Sequence, residues 1–153
     1  MSKPLRSSCR TTGTNMTKNV SNTIYEEITQ AGVLRPGAAE TELAVVNGAI
    51  TLFTVKDQTL VKHLSGRLHR GELEVIIGAK EIGIQTVLID EKSARKLADT
   101  FLISSIGTLG ILLLSKQLKL IYDLPSYLDA LLGIGFRINK DMYQRIMQQV
   151  SEE

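Results

Sequence analysis

The sequence lacks the residues that mark several specialised classes of protein. It has no tryptophan, three prolines and a single cysteine, Cys9, in 153 residues. One cysteine excludes an intramolecular disulfide framework, and a chain of this kind is compatible with a reducing cytoplasm. Because 43% of the residues are hydrophobic and 22% are charged, the composition is that of a globular protein, not of a disordered one. We therefore expect a cytoplasmic protein with a folded core.

Long apolar segments and a strong charge excess are also missing. The most apolar stretch, FLISSIGTLGILLL at 101–114, contains two glycines and is shorter than the roughly 20 residues of a membrane-spanning helix. The net charge of +2 is too small to imply a nucleic-acid partner by itself. Residues 1–19 carry four basic and no acidic residues without the apolar run of a secretory signal. We expect a disordered tail there and no membrane association. A weak transit peptide and sequence upstream of a true start at Met16 are the alternative explanations of these residues.

What the chain does contain is an alternation of apolar strands with helices. GELEVIIGAKEIG has apolar residues at helical spacing and predicts a helix that ends at Gly83. TVLI at 86–89 predicts a strand buried on both faces, and FLISSI at 101–106 predicts a second strand. A helix is predicted after each of them. This order is typical of an α/β domain with a parallel sheet, which we place at 20–153.

Shorter elements are predicted on either side of this segment. SNTIYEEITQAG predicts a helix, and RPGAAETELAVVNG predicts a second helix that Pro36 opens. AITLFTV at 49–55 has the composition of a strand. Near the C-terminus, Pro125 opens one predicted helix and Asn139 caps the last one.

Two acidic residues are expected at one edge of the predicted sheet. Sites in open parallel sheets form at the carboxyl ends of strands, where Asp90 directly follows TVLI. Position alone favours Asp90 as the N-cap of the next helix. Glu72 opens the preceding helix and would face the same edge, where two carboxylates suit a hard cation such as Mg²⁺. A favourable interaction with the helix dipole is the alternative explanation of Glu72.

A third acid lies on the first predicted helix. Glu26 and Glu27 are surrounded by apolar residues, so we expect one of them to face solvent and the other to face inward. An inward carboxylate near other acids would be costly without a cation, because like charges disfavour ionisation. Glu74, two positions beyond Glu72, is expected to point away from any ion that Glu72 contacts, because two residues turn a helix by about 200°.

Other polar groups have simpler explanations. His63 and His69 lack a partner at zinc-ligand spacing and are expected on the surface. GTLG at 107–110 lies between a strand and a helix, yet it lacks a complete phosphate-binding fingerprint, and tight packing explains its glycines better. Basic residues on the helix after Asp90 would either approach a phosphate backbone or form a solvated face. They are Lys92, Arg95 and Lys96.

Three stretches together resemble a known family. They are GELEVIIGAKEIGIQTVLIDEKSARKLA, GTLGILLLSKQLKLI and LDALLGIGFRINKDMYQRIM, and the upstream VSNTIYEEIT is similar to the family's segment entering its first acidic helix. The family is a prokaryotic group of PIN-domain-like proteins, which are described as predicted nucleic-acid-binding proteins. The likeness extends over residues 20–148. It implies a three-layer fold in which helices flank a parallel sheet.

The resemblance also implies a reaction class. PIN domains are similar to small metal-dependent ribonucleases, many of them toxins of toxin–antitoxin pairs, whose acids gather around Mg²⁺ or Mn²⁺. Matched residue by residue, Glu27, Glu72 and Asp90 correspond to the catalytic and metal-binding acids, and Glu91 corresponds to a supporting position. RNA and a small antitoxin protein are the implied partners, and a homodimer would be ordinary for the family.

The chain departs from the family pattern at two places. The family begins with an apolar strand that ends in Asp, whereas residues 1–19 contain neither an acid nor an apolar strand. Where the family has Leu-Asp before its Gly-Glu pair, this chain has Leu68 and His69. Three explanations are open for the N-terminal strand: a wrongly chosen start or frameshift, a degenerate remnant, or a strand supplied by a partner chain.

These observations leave three interpretations of function. The leading one is a PIN-like ribonuclease derived from a toxin, which is either active or inactivated by the loss of one acid. The second is a non-catalytic module that binds nucleic acid or an antitoxin. The third is a remnant without a present role.

Overall fold

A computed structural model describes residues 18–30 and 37–151. The predicted tail therefore lies mostly outside the described residues, as does Pro36. By proximity of their Cα atoms, the residues form two compact units: the first ends at Thr54 and the second begins at Val55. Each unit combines helices with a pair of short parallel strands, so the predicted α/β class and parallel pairing are confirmed.

The first unit is built around two parallel strands. Its elements are β1 (Asn19–Ser21), α1 (Asn22–Gln30), α2 (Ala38–Val46) and β2 (Thr51–Phe53). Val20 lies opposite Leu52 in the parallel register. A further hydrogen bond of 2.7 Å runs from the Asn22 side-chain amide to the Thr54 hydroxyl. The sequence predicted β2, whereas β1 begins inside the segment expected to be a tail.

The second unit carries the remaining elements. They are α3 (Gln58–Leu64), α4 (Arg70–Ile82), β3 (Thr86–Leu88), α5 (Lys92–Thr100), β4 (Ser104–Ile106), α6 (Thr108–Gln117), α7 (Leu124–Gly133) and α8 (Lys140–Ser151). Helix α4 is the longest of these, and its buried residues cover most of one side. The predicted order of helix, strand, helix, strand and helix is therefore confirmed between α4 and α6.

The central core of the second unit lies between the strand pair and two helices. Val87 and Ile89 are buried against residues of α4 and α5, such as Ile76 and Ala98. The expectation that the TVLI strand is buried on both faces is wrong, because Leu88 is 53% exposed. The apolar composition predicted helices on both faces of this strand. In the structure, α4 and α5 contribute to one core cluster with Val87 and Ile89, which are alternate residues and lie on the same face of the strand.

A second cluster lies where the last helices pack together. Leu124 and Leu128 of α7 and Ile146 of α8 form its buried centre, and apolar residues of α6 contact it. Asn139 accepts a hydrogen bond of 3.0 Å from the backbone N–H of Asp141, so the predicted cap of α8 is confirmed. Within the described part of the chain, every helix is too short or too polar to cross a bilayer.

Several helices end with the same hydrogen-bond motif. At the end of α5, the N–H groups of Leu102 and Ile103 donate to the carbonyls of Asp99 and Ala98, each at 3.0 Å. This arrangement places Leu102 in the left-handed region, with φ of 58°. The equivalent position after α7 is Gly135, with φ of 85°. Glycine adopts this conformation without steric cost, whereas leucine does not.

Replacing Leu102 with glycine should therefore stabilise the protein. The side chain is 92% exposed, so its removal forfeits almost no buried surface. We expect Leu102→Gly to raise the free energy of unfolding by about 0.5–1 kcal/mol, because a left-handed non-glycine residue costs roughly 1–2 kcal/mol. Urea denaturation measures the change.

A substitution of the opposite kind, at Gly135, provides the control. Gly135→Ala introduces a side chain at positive φ and should lower the free energy of unfolding by about 1 kcal/mol. An unchanged or reduced stability of Leu102→Gly would show that the left-handed residue carries no strain.

Candidate functional site

Glu72 lies in the first turn of α4, where its carboxylate caps the helix. Its Oε2 accepts a hydrogen bond of 3.1 Å from the backbone N–H of His69, the residue that precedes the helix. Glu74 points elsewhere, as expected. It is buried, with 3% exposure, and its Oε1 lies 2.8 Å from Nε of Arg70. Of these two acids in the first turns of α4, Glu72 is therefore the one that is accessible to a ligand.

Asp90 and Glu91 cap different helices, which the sequence alone did not distinguish. Helix α5 begins at Lys92, and its N-cap is Glu91, whose Oε1 accepts hydrogen bonds from the N–H of Ser93 at 3.3 Å and its hydroxyl at 2.6 Å. The expectation that Asp90 caps this helix is therefore wrong. The backbone N–H of Ile89 donates to the carbonyl of Ile106, so the pairing with β4 continues up to the residue before Asp90. Because the extended backbone ends this late, the N-cap position falls on Glu91 and not on Asp90.

Asp90 instead caps a different helix. Its Oδ1 accepts from the backbone N–H of Thr108 at 2.9 Å, and its Oδ2 accepts from the Thr108 hydroxyl at 2.5 Å. Thr108 is the first residue of α6, so the contact joins the end of β3 to the start of that helix. Arg95 approaches from α5, with its guanidinium 3.6 Å from Oδ1, and it also donates to the Ile89 carbonyl.

Glu72 and Glu91 line one cleft of about 430 Å³ in the second unit. Its remaining lining residues are Gly66, Arg67, Leu68, His69 and Ser93. The cleft therefore lies between the segment that enters α4 and the first turn of α5. Its volume falls within the range of small-molecule sites in proteins.

The ionisation of Glu91 is perturbed by its hydrogen bonds. The hydroxyl hydrogen bond from Ser93 lowers the pKa of Glu91, and the backbone hydrogen bond from the same residue lowers it further. Desolvation acts in the opposite direction, and the electrostatic interaction with His69 adds the smallest lowering contribution to the pKa of Glu91. The lowered pKa favours the ionised carboxylate, which is the form that binds a cation.

The third predicted acid lies in the first unit. Glu27 belongs to α1, and both it and Glu26 are exposed. The expectation that one of the two faces inward is therefore wrong. The convergence of Glu27, Glu72 and Asp90 on one ion stays a prediction. Within the described residues of the second unit, no three His, Cys, Asp or Glu side chains form a group that could hold an ion by itself.

The glycines of GTLG serve packing, as expected. A Cβ on Gly110 would lie 2.7 Å from the Ile106 side chain, and one on Gly107 would lie 2.7 Å from Oδ1 of Asp90. His63 and His69 are both exposed, as predicted. Lys92 and Lys96 are exposed on α5, whereas Arg95 is half-buried and held by its contacts with Ile89 and Asp90.

The oxygen atoms in the cleft suit a hard divalent cation. The hydrogen bonds of Glu72 use Oε2 and those of Glu91 use Oε1, so each carboxylate keeps a second oxygen without a hydrogen bond from the described residues. Mg²⁺ is typically held by one or two carboxylates together with water and substrate phosphate. Two carboxylates are thus the number of acids that such a site commonly uses.

Sequence patterns pointed to Glu72 but did not single out the other residues of the cleft. Glu91 was expected only in a supporting position, and Arg67 and Ser93 were not identified. A signal for Glu91 was present, because Ser93 follows at the two-residue spacing of a local side-chain hydrogen bond.

The Ser93 hydroxyl makes a testable contribution to the ionisation of Glu91. We expect Ser93→Ala to raise the pKa of Glu91 toward the ordinary glutamate range, because its largest lowering cause is removed. Carboxyl ¹³C chemical shifts followed through a pH titration measure it. In the unmodified protein, the hydrogen bond from Ser93 to Glu91 stabilises the folded state at pH values above the ordinary glutamate pKa. This stabilisation is lost as the pH falls through the lowered pKa of Glu91.

Asp123 provides the matched control. It is the N-cap of α7, and the hydrogen bond from the Ser126 hydroxyl lowers its pKa in the same way. Ser126→Ala should raise the pKa of Asp123 and leave that of Glu91 unchanged. A pKa of Glu91 that does not respond to Ser93→Ala would contradict the geometry of this cap.

Comparison with known proteins identifies the family. A family model described as a PIN domain matches residues 14–152. No curated protein and no solved structure matches the chain. The resemblance inferred from the sequence is thereby confirmed, and the matched segment includes both units and every acid discussed above. The chain belongs to the PIN domain family.

Proposed function

We propose that this protein is a metal-dependent ribonuclease derived from a toxin. The observation that carries the proposal is the shared cleft of Glu72 and Glu91, in which each carboxylate has an oxygen to spare. Membership of the PIN domain family supplies the nuclease-type fold. The substrate would be RNA, and the cation would be Mg²⁺ or Mn²⁺. The cytoplasm is the compartment in which such an enzyme would meet its substrate.

In this proposal, some residues of the second unit would bind the cation and others would fix the position of a carboxylate. Glu72 and Glu91 would hold the cation, and Asp90 would contribute from its place beside Glu91 while Thr108 and Arg95 fix its carboxylate. A bound divalent ion lowers the pKa of water and stabilises the charge that develops on a phosphodiester. Glu27, from the first unit, is proposed as a further acid on the family correspondence alone.

One observation favours a second candidate, a module that binds nucleic acid or an antitoxin without cleaving RNA. Both oxygens of Asp90 accept hydrogen bonds from Thr108, so this carboxylate already has a structural task. If capping is the only role of Asp90, two acids remain to bind a cation, and they would bind it more weakly than three acids would. A small antitoxin protein remains the proposed partner in either case, and a homodimer is proposed by analogy with the family.

Removing single carboxylates tests the nuclease proposal. We expect Glu72→Gln and Glu91→Gln each to lower metal-dependent RNA cleavage by at least about tenfold, because an amide holds a divalent cation less well than a carboxylate does. Asp90→Asn should lower it as well. Cleavage of a fluorogenic single-stranded RNA with Mg²⁺ or Mn²⁺, with EDTA as the blank, measures the effect.

Glu42→Gln is the matched control, because Glu42 is an exposed acid of the first unit and lies outside the cleft. It should cleave like the unmodified protein. Cleavage that persists in EDTA, or that survives Glu72→Gln and Glu91→Gln, would refute the proposed site. Comparing Glu27→Gln with Glu26→Gln then decides whether the first unit contributes an acid.

A further inference from the structure

The cleft is lined by basic as well as acidic residues. Arg67 and His69 line it from the segment between α3 and α4, and Glu72 and Glu91 line it from the first turn of α4 and the cap of α5. Without a cation, the two carboxylates would repel any phosphate that entered. A substrate with a phosphodiester backbone therefore needs positive groups in the same cleft, and Arg67 carries a permanent positive charge.

Arg67 is not committed to a contact within the protein. Arg70 pairs with Glu74, and Arg95 pairs with Asp90 and donates to the Ile89 carbonyl. In contrast, Arg67 has neither an ion pair nor a side-chain hydrogen bond with any residue in 18–30 or 37–151. It is also exposed. Its guanidinium donors are thus available to a ligand in the cleft.

The backbone that carries Arg67 is held at both ends. The Ser65 hydroxyl donates to the Val61 carbonyl at 2.7 Å, which fastens one end to the last turn of α3. Leu68 packs against the central core and forms an isolated backbone bridge with Ser65. Gly66 takes the positive φ of 108° that this tight turn requires. Arg67 therefore extends from a fixed turn into the cleft.

We propose that Arg67, assisted by His69, forms a phosphate-contacting wall that holds the backbone of single-stranded RNA in the cleft that Glu72 and Glu91 also line. This inference rests on the proposed function for its choice of substrate. The planar guanidinium matches two phosphate oxygens at once, which a lysine ammonium cannot do. In this proposal, Arg67 positions the phosphodiester next to the acids, and His69 lines the same cleft two residues further along the chain.

Binding of RNA under conditions that prevent cleavage tests the wall directly. The probe is a fluorescently labelled ten-nucleotide RNA, whose anisotropy is followed with the full chain in EDTA. We expect Arg67→Ala to weaken binding by about tenfold, because it removes a charge-assisted contact. The slope of log affinity against log salt should fall by about 0.7, the value for one phosphate contact on a single strand. Arg67→Lys should restore the slope but only part of the affinity.

Arg137→Ala is the matched control, because it removes the same charge from an exposed arginine outside the cleft. It should leave the affinity within about twofold of the unmodified protein. His69→Asn should weaken binding less than Arg67→Ala does. Equal losses of RNA affinity in Arg67→Ala and Arg137→Ala, or no RNA binding by the unmodified protein, would refute the proposed phosphate-contacting wall.

This assay separates the wall from the nuclease proposal. If RNA is never cleaved but Arg67→Ala alone weakens its binding, the wall stands and the ribonuclease does not. If RNA is cleaved with metal and Arg67→Ala changes neither affinity nor salt slope, the ribonuclease stands and the wall is refuted.

Discussion

The candidate site depends on the unsatisfied N–H groups at the starts of three helices. A helix begins with donors that have no partner inside the helix, and carboxylates satisfy them well. Glu72 does so at α4, Glu91 at α5 and Asp90 at α6. Acidic side chains are therefore held in place by backbone donors, and two of them, Glu72 and Glu91, reach the same cleft.

Capping and cation binding are compatible in this arrangement because a carboxylate has two oxygens. Glu72 and Glu91 each cap with one oxygen and keep the other without a hydrogen bond from the described residues. The capping contact fixes the side chain in advance, which would lower the entropic cost of binding the proposed ion. Asp90 differs, because Thr108 contacts both of its oxygens. If Asp90 binds a cation as proposed, it would do so through lone pairs that these hydrogen bonds do not use.

The sequence predicted the order of the elements between α4 and α6, because their apolar spacing and the stop at Gly83 are local signals. It did not predict which acid caps α5. Asp90 and Glu91 are adjacent and both acidic, and the decision came from β3–β4 pairing, which extends to Ile89. The contact of Asp90 with Thr108 spans 18 residues of sequence, so no local pattern contains it.

Burial was also harder to predict than element type. Leu88 is apolar and belongs to a strand, yet its exposure depends on which helices cover the sheet. No sequence pattern pointed to Arg67, because its proposed role depends on the acids that line the same cleft and on the absence of a partner for it within the described residues. Family resemblance gave Glu72 a catalytic position and Glu91 a supporting one, whereas the cleft brings these two acids together and adds Arg67.

Paramagnetic broadening by Mn²⁺ tests the central claim, that Glu72 and Glu91 together hold a divalent cation. In ¹H–¹⁵N spectra of the full chain, substoichiometric Mn²⁺ should broaden the amides of residues 66–72 and 91–93 first. Glu72→Gln and Glu91→Gln should each abolish this selectivity. Broadening that begins elsewhere, or that both variants leave unchanged, would contradict a cation site in this cleft.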